Sequence, residues 1–122
     1  MPRPIHFEIA ADEPARAVAF YEKVFGWKSQ RWDGPFEYFL VSTGGESEPG
    51  IDGGITARRD PAERTTNTIG VESVDAYTKK IETSGGKIVM PKSAIPGVGW
   101  LAMAIDTEGN PFGIMQADEN AK

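Results

Sequence analysis

The sequence predicts an α+β protein made of two βαβββ modules, each a curved mixed sheet, closing around a cup. Three observations carry this. Apolar residues alternate at period two in short runs. Two segments carry apolar residues at helical spacing, each directly after one of those runs. The same order of elements then recurs about 60 residues later. Ile9 maps on Ile69, Gly26 on Gly86 and Gly53 on Gly113.

In chain order, Pro4–Ala10 alternates, with Ile5, Phe7 and Ile9 on one face and His6, Glu8 and Ala10 on the other. Asp12 is placed to cap a helix near residues 13–25, whose stripe is Ala17, Phe20, Tyr21 and Val24 and whose stop is Gly26. Strands are expected at Trp27–Trp32, Phe36–Thr43 and Ile51–Ala57, parted by turn residues such as Asp33-Gly34-Pro35. The second pass begins with the β-branched run Thr65–Val71. Ser73 caps a helix near residues 74–84 carrying Val74, Tyr77 and Ile81, and Gly85-Gly86 ends it. Lys87–Met90, Val98–Ile105 and Pro111–Gln116 complete it as strands. The expectation is one domain spanning residues 1–122, with halves at about 4–58 and 64–117.

Length and composition narrow the function. A chain of 122 residues with 39% hydrophobic and 25% charged residues is large enough for a core. It has no cysteine, which excludes disulfides, thiolate metal sites and a cysteine nucleophile, and its single histidine excludes sites needing two imidazoles. A net charge of −5 argues against nucleic acid or an anionic membrane as partner. No apolar run approaches the roughly 20 residues that span a bilayer, and the first residues do not read as a signal peptide, so a cytoplasmic protein is expected. No GxSxG, Walker, GxGxxG or HExxH motif is present.

Each helix needs an apolar sheet face to cover. With Ile5, Phe7 and Ile9 under the first helix, His6 and Glu8 point into the cup, the side on which Thr66, Thr68 and Gly70 are placed in the second half. Assigning Leu101, Met103 and Ile105 to the helix side leaves Trp100, Ala102 and Ala104 facing the cup. Their counterparts are Tyr38, Leu40 and Ser42. Gly113 and Met115, and their counterparts Gly53 and Ile55, complete the lining, which suits a small organic ligand. His6 is a candidate general base, with an imidazole hydrogen-bonded across the sheet as the alternative. Glu8 is a candidate acid or base, or else one half of a salt bridge. Trp100 and Tyr38 are candidate walls for a flat ligand, or else core filling. Thr66 and Thr68 can hydrogen-bond a ligand, as β-propensity alone would also explain. Arg58, Arg59 and Arg64 form either an anion clamp or a solvated linker.

Residues 6–27, HFEIAADEPARAVAFYEKVFGW, resemble the opening of the vicinal oxygen chelate superfamily, which holds glyoxalase I, bleomycin-resistance proteins and extradiol dioxygenases. Residues 106–113, DTEGNPFG, resemble the turn before that family's last strand, and residues 95–100, IPGVGW, a stretch of a glyoxalase-like subgroup. The resemblance covers about Pro4 to Gln116 and implies the glyoxalase-like fold. In metal-dependent members four ligands occupy equivalent strands. Here those positions hold His6, Gly53 or Gly54, Thr66 and Gly113. Only His6 is a metal-binding type, so no metal and no cofactor are expected. The resemblance implies a protein that binds a small molecule and pairs as a homodimer. It would act as an isomerase, epimerase or lyase-type enzyme with His6 or Glu8 moving a proton. The alternative is a sequestering protein of the bleomycin-resistance type, and the third reading is a metal-dependent glyoxalase or dioxygenase.

Overall fold

The computed structural model describes residues 2–122. The chain divides into two compact units, one of His6–Thr66 and one of Asn67–Lys122 joined by the leading residues up to Ile5. Both follow the order strand, helix, three strands.

In the His6–Thr66 unit the elements are β1 (Arg3–Ala11, from His6 onward), α1 (Pro14–Phe25), β2 (Lys28–Arg31), β3 (Tyr38–Ser42) and β4 (Gly53–Ala57). The strands lie side by side as β2-β3-β4-β1. β1 and β4 run parallel, while β2–β3 and β3–β4 are antiparallel. Pro14 suits the first helical turn, where its missing N–H costs nothing, and Gly26 ends the helix in the left-handed region at φ 73°. The expected cap at Asp12 is not observed. Glu13 holds the cap position without a side-chain bond, and the Asp12 carboxylate instead accepts from Arg58 Nε at 2.9 Å. α1 covers one sheet face, and Ala11, Val18, Val41 and Ile55 form the buried centre, with Ile9, Tyr21, Trp27 and Phe39 packed around them. Tyr21 stacks on Trp27 with ring centres 4.9 Å apart.

The other unit contains β5 (Thr66–Gly70), α2 (Val74–Thr83), β6 (Lys87–Ile95), β7 (Gly99–Ile105) and β8 (Pro111–Ala117), ordered β5-β8-β7-β6. β5 and β8 are parallel, β7 is antiparallel to both its neighbours. Ser73 caps α2 as expected, its hydroxyl accepting from the Ala76 N–H at 3.1 Å. β6 runs five residues beyond the expected Met90, through Pro91. It does so with register shifts between Ile88 and Met90 and between Met90 and Ser93, which accommodate a residue that cannot donate to the ladder.

Two expected facings are reversed. Trp100 and Ala102 join Val74, Tyr77, Ile81, Phe112 and Ile114 on the α2 side of the sheet, which leaves Leu101 and Met103 on the open face. Ala102 and Ala104 are fully buried: small side chains under a helix let it approach the sheet closely. In β4, Ile55 belongs to the α1 core with no exposed surface. Gly53 shares that face, since a Cβ there would run into the Phe7 ring. Gly54 and Thr56 therefore face the open side.

Candidate functional site

On β1 the side chains of Phe7, Ile9 and Ala11 turn to α1, so His6 and Glu8 emerge on the open face. The same face receives Tyr38, Leu40 and Ser42 from β3, because Phe39 and Val41 are in the core. In β4, Gly54 lies in register between Glu8 of β1 and Leu40 of β3. Having no side chain, Gly54 leaves a trough across the sheet, and Tyr38 lies in it. A Cβ at position 54 would collide with the Tyr38 ring and hydroxyl. Crossing that trough brings the Tyr38 hydroxyl 2.9 Å from His6 Nε2. Trp32 and Phe36 stand edge-on to the Tyr38 ring at 6.0 and 6.2 Å between centres.

Burial holds the His6 imidazole below its ordinary value of 6.5, against the opposing pull of Glu8 and Asp52, so it is neutral at pH 7. Burial, reinforced by the nearby Glu8 carboxylate, pushes the Tyr38 phenol well above its usual range and keeps it protonated. Glu8 also meets Arg59, whose guanidinium lies 3.8 Å from Oε1 and 3.0 Å from Glu63 Oε2. Arg59 is largely exposed, so this is a weak, screened pair. Beside His6 opens a cleft of about 370 Å³, lined by Lys28 and Gln30 of β2, Leu40 and Ser42 of β3, Asp52 and Gly53. Asp52 is fixed by the Thr43 N–H, which donates to its Oδ1 at 2.9 Å.

The structure thus brings together His6, Glu8 and Tyr38. His6 is bonded across the sheet, and Glu8 is one half of an ion pair. Tyr38 lays its ring over Gly54 and brings its hydroxyl to His6. The arginines after β4 are tied locally. Arg58 bonds Asp12 and the Glu63 carbonyl, and Arg64 bonds the carbonyls of Pro61 and Glu63.

The remaining candidates belong to β5, β7 and β8. Thr68, nearly buried, and Met115 stand on the open face of their unit, Thr68 Oγ1 bordering the space beside Gly113. Thr66 is half-buried at the start of β5. Trp100 is on the opposite face, its Nε1–H donating to Asp118 at 3.0 Å and its ring carrying Lys92 Nζ at 4.8 Å. Lys28, Gln30 and Asp52 were not singled out in the sequence. Lys28 and Gln30 alternate with Ser29 and Arg31 in an all-polar run that gives no apolar face to read.

A divalent metal on the four positions named above does not fit the residues present. His6 Nε2 is engaged by Tyr38, Gly53 faces α1, Gly54 is covered by Tyr38, and the space at Gly113 is bounded by Met103, Thr68 and Leu101. Among the described residues no three His, Cys, Asp or Glu converge. No helix among them is long and apolar enough to cross a membrane.

Comparison with known proteins agrees with this fold. The family model described as Glyoxalase/Bleomycin resistance protein/Dioxygenase superfamily matches residues 3–114. The anthracycline biosynthesis proteins DnrV of Streptomyces peucetius and DauV of Streptomyces sp. (strain C5) are each 24% identical over 131 residues, covering 91% of this chain. The chain spans about half of their length, 46%. Methylmalonyl-CoA epimerase from Mycobacterium tuberculosis superposes with a TM-score of 0.70 at 14% identity, over 94% of this chain and 87% of that one. A variant of the Streptomyces coelicolor methylmalonyl-CoA epimerase, in complex with 2-nitronate-propionyl-CoA, gives 0.73 at 15% identity over 98% and 97%. A hypothetical protein from Bacillus halodurans gives 0.73 at 13% over 99% and 98%. At these identities the structural likenesses establish the fold.

Proposed function

The chain belongs to the Glyoxalase/Bleomycin resistance protein/Dioxygenase superfamily, and from that premise we propose that it binds a small organic molecule on the open face of its His6–Thr66 unit, with no metal ion between protein and ligand. The observation that carries this is the cleft of about 370 Å³ with a neutral His6 in its wall. That volume is within the range of small-molecule sites, about 300–1,000 Å³, and its lining sets Leu40 and Val41 among polar residues of β2, β3 and the turn before β4. The test is a thermal-shift screen of a metabolite library, since a ligand that binds only the folded state raises its midpoint. Stabilisation by one chemical class, lost in His6→Ala, is the expected result. A library that leaves wild type unshifted at millimolar concentration overturns the proposal.

A second reading, proton transfer of the isomerase, epimerase or lyase type, is favoured by one feature. His6, an uncharged imidazole, shares its cluster with the Glu8 carboxylate. If the ligand is turned over, His6→Ala and Glu8→Gln abolish turnover while Glu8→Gln still binds. If it is only sequestered, the same variants weaken binding and there is no turnover to lose. The proposal extends to a homodimer. Light scattering at micromolar concentration then gives twice the 13.2 kDa chain mass, and a monomer mass refutes that extension.

A further inference from the structure

Tyr38 is absent from the lining of the cleft, yet it is the one side chain hydrogen-bonded to the cleft's histidine. We infer that Tyr38 is a positioning residue in a relay Glu8–Tyr38–His6, donating its hydroxyl proton to Glu8 and accepting from His6 Nε2–H, so that His6 presents an unprotonated Nδ1 to the ligand. The inference rests on the ligand cleft proposed above and names what that cleft recognises. Its ligand carries an O–H or N–H donor for Nδ1 and an apolar part over Leu40.

The argument is one of geometry and proton counting. Glu8 and Gly54 are cross-strand partners, so the Glu8 Cβ lies about 5 Å from the place a Gly54 side chain would occupy. The Tyr38 hydroxyl occupies that place. The phenol therefore lies within reach of Glu8 while its oxygen is 2.9 Å from His6 Nε2. A phenol has one proton to give, and an ionised carboxylate can only accept. Once that proton goes to Glu8, only a lone pair is left for His6, and Nε2 must carry the hydrogen. In a neutral imidazole the other nitrogen is then an acceptor, its tautomer set by the bond its partner makes. Burial favours the neutral imidazole. The other charged groups around this cluster are Asp52 just before β4, Lys28 of β2 in the same cleft and Arg59 on Glu8. Asp52 is already taken up by Thr43. No described residue bonds Nδ1, and the nitrogen is not sealed from water.

His6 is the chain's only histidine, so long-range ¹⁵N–¹H correlation spectra of the labelled, ligand-free protein read its tautomer without assignment ambiguity. At a pH where the ring is neutral, wild type is expected to show a single tautomer with the hydrogen on Nε2. Tyr38→Phe is expected to move the ¹⁵N shifts to the average of two tautomers. Glu8→Gln offers an amide that can donate to the phenol, and is expected to shift the population towards Nδ1–H. A wild-type hydrogen on Nδ1 overturns the relay, as does a wild-type averaged spectrum. Shifts unchanged in both variants overturn the roles of Tyr38 and Glu8. The spectra need no ligand, so a failed library screen counts against the binding proposal alone.

Discussion

Gly54→Ala tests the trough in which Tyr38 lies. Gly54 has no positive φ, so on backbone grounds alanine would stabilise the chain by about 0.4–1 kcal/mol through the unfolded state. The structure reverses that sign. The new methyl would overlap the Tyr38 ring and hydroxyl. Overpacking costs about 1–3 kcal/mol, and displacing the ring breaks the bond to His6, about 0.5–1.5 kcal/mol more. Against the backbone gain, the net destabilisation is about 2 kcal/mol, read as a lower urea midpoint at unchanged slope. Gly45→Ala is the control. It also lacks a positive φ, and its methyl would meet only Glu48 Oε1 at an ordinary 3.8 Å, so it is expected to be neutral or slightly stabilising. The cycle with Tyr38→Ala isolates the clash: without the ring, Gly54→Ala costs nothing, and the two substitutions are non-additive by about 2 kcal/mol. Additive effects, or a Gly54→Ala protein as stable as wild type, would refute the packing described.

Three further outcomes are expected. Ser73→Ala lowers stability by about 1 kcal/mol by removing the cap of α2, and a denaturant titration that finds no loss would contradict the cap assignment. The Asp118 carboxyl is held below its ordinary 3.8 by the Trp100 N–H and then by the Asn120 N–H. Its stabilisation is therefore present above pH 3.8 and lost as pH falls through the depressed value, so Asp118→Asn flattens the acid limb of a stability–pH curve, and a limb of unchanged steepness counts against the bond. Elemental analysis after tag-free purification without chelator finds no stoichiometric transition metal, and about one equivalent of Zn, Fe, Mn or Ni, lost in His6→Ala, would bring metal-assisted chemistry to the front.

The elements were legible because their signals are local. Alternation marked β1, and Ser73 and Gly26 marked helix ends with side-chain and backbone chemistry that needs no tertiary context. Facing was harder. A slip of one residue turns every side chain of a strand over, and the two passes are not a constant 60 apart. Ile55 corresponds in environment to Ile114, an offset of 59, so mapping Gly53 on Gly113 placed Ile55 on the wrong side. In β7 the larger residues were assigned to the helix, while the structure puts Ala102 and Ala104 there. At the site, His6 and Glu8 were readable from parity alone. The relation of Tyr38 to Gly54 was not, because it depends on a missing side chain on the adjacent strand being filled by a neighbour. An aromatic residue and a glycine on one face of adjacent strands is the signal that would have found it.

The irregular course of β6 has a bearing on colloidal behaviour. In its unit β6 is the outermost strand on its side, where a straight row of free amides would invite another chain to extend the ladder. The two register shifts on either side of Met90 break the even spacing of the strand's amides, and the exposed Lys87 adds charge at the rim. An incoming strand finds no uninterrupted stretch to zip against. Growth into fibrils along this border is thereby discouraged, and crowded solutions of the protein should resist seeding by extended peptides.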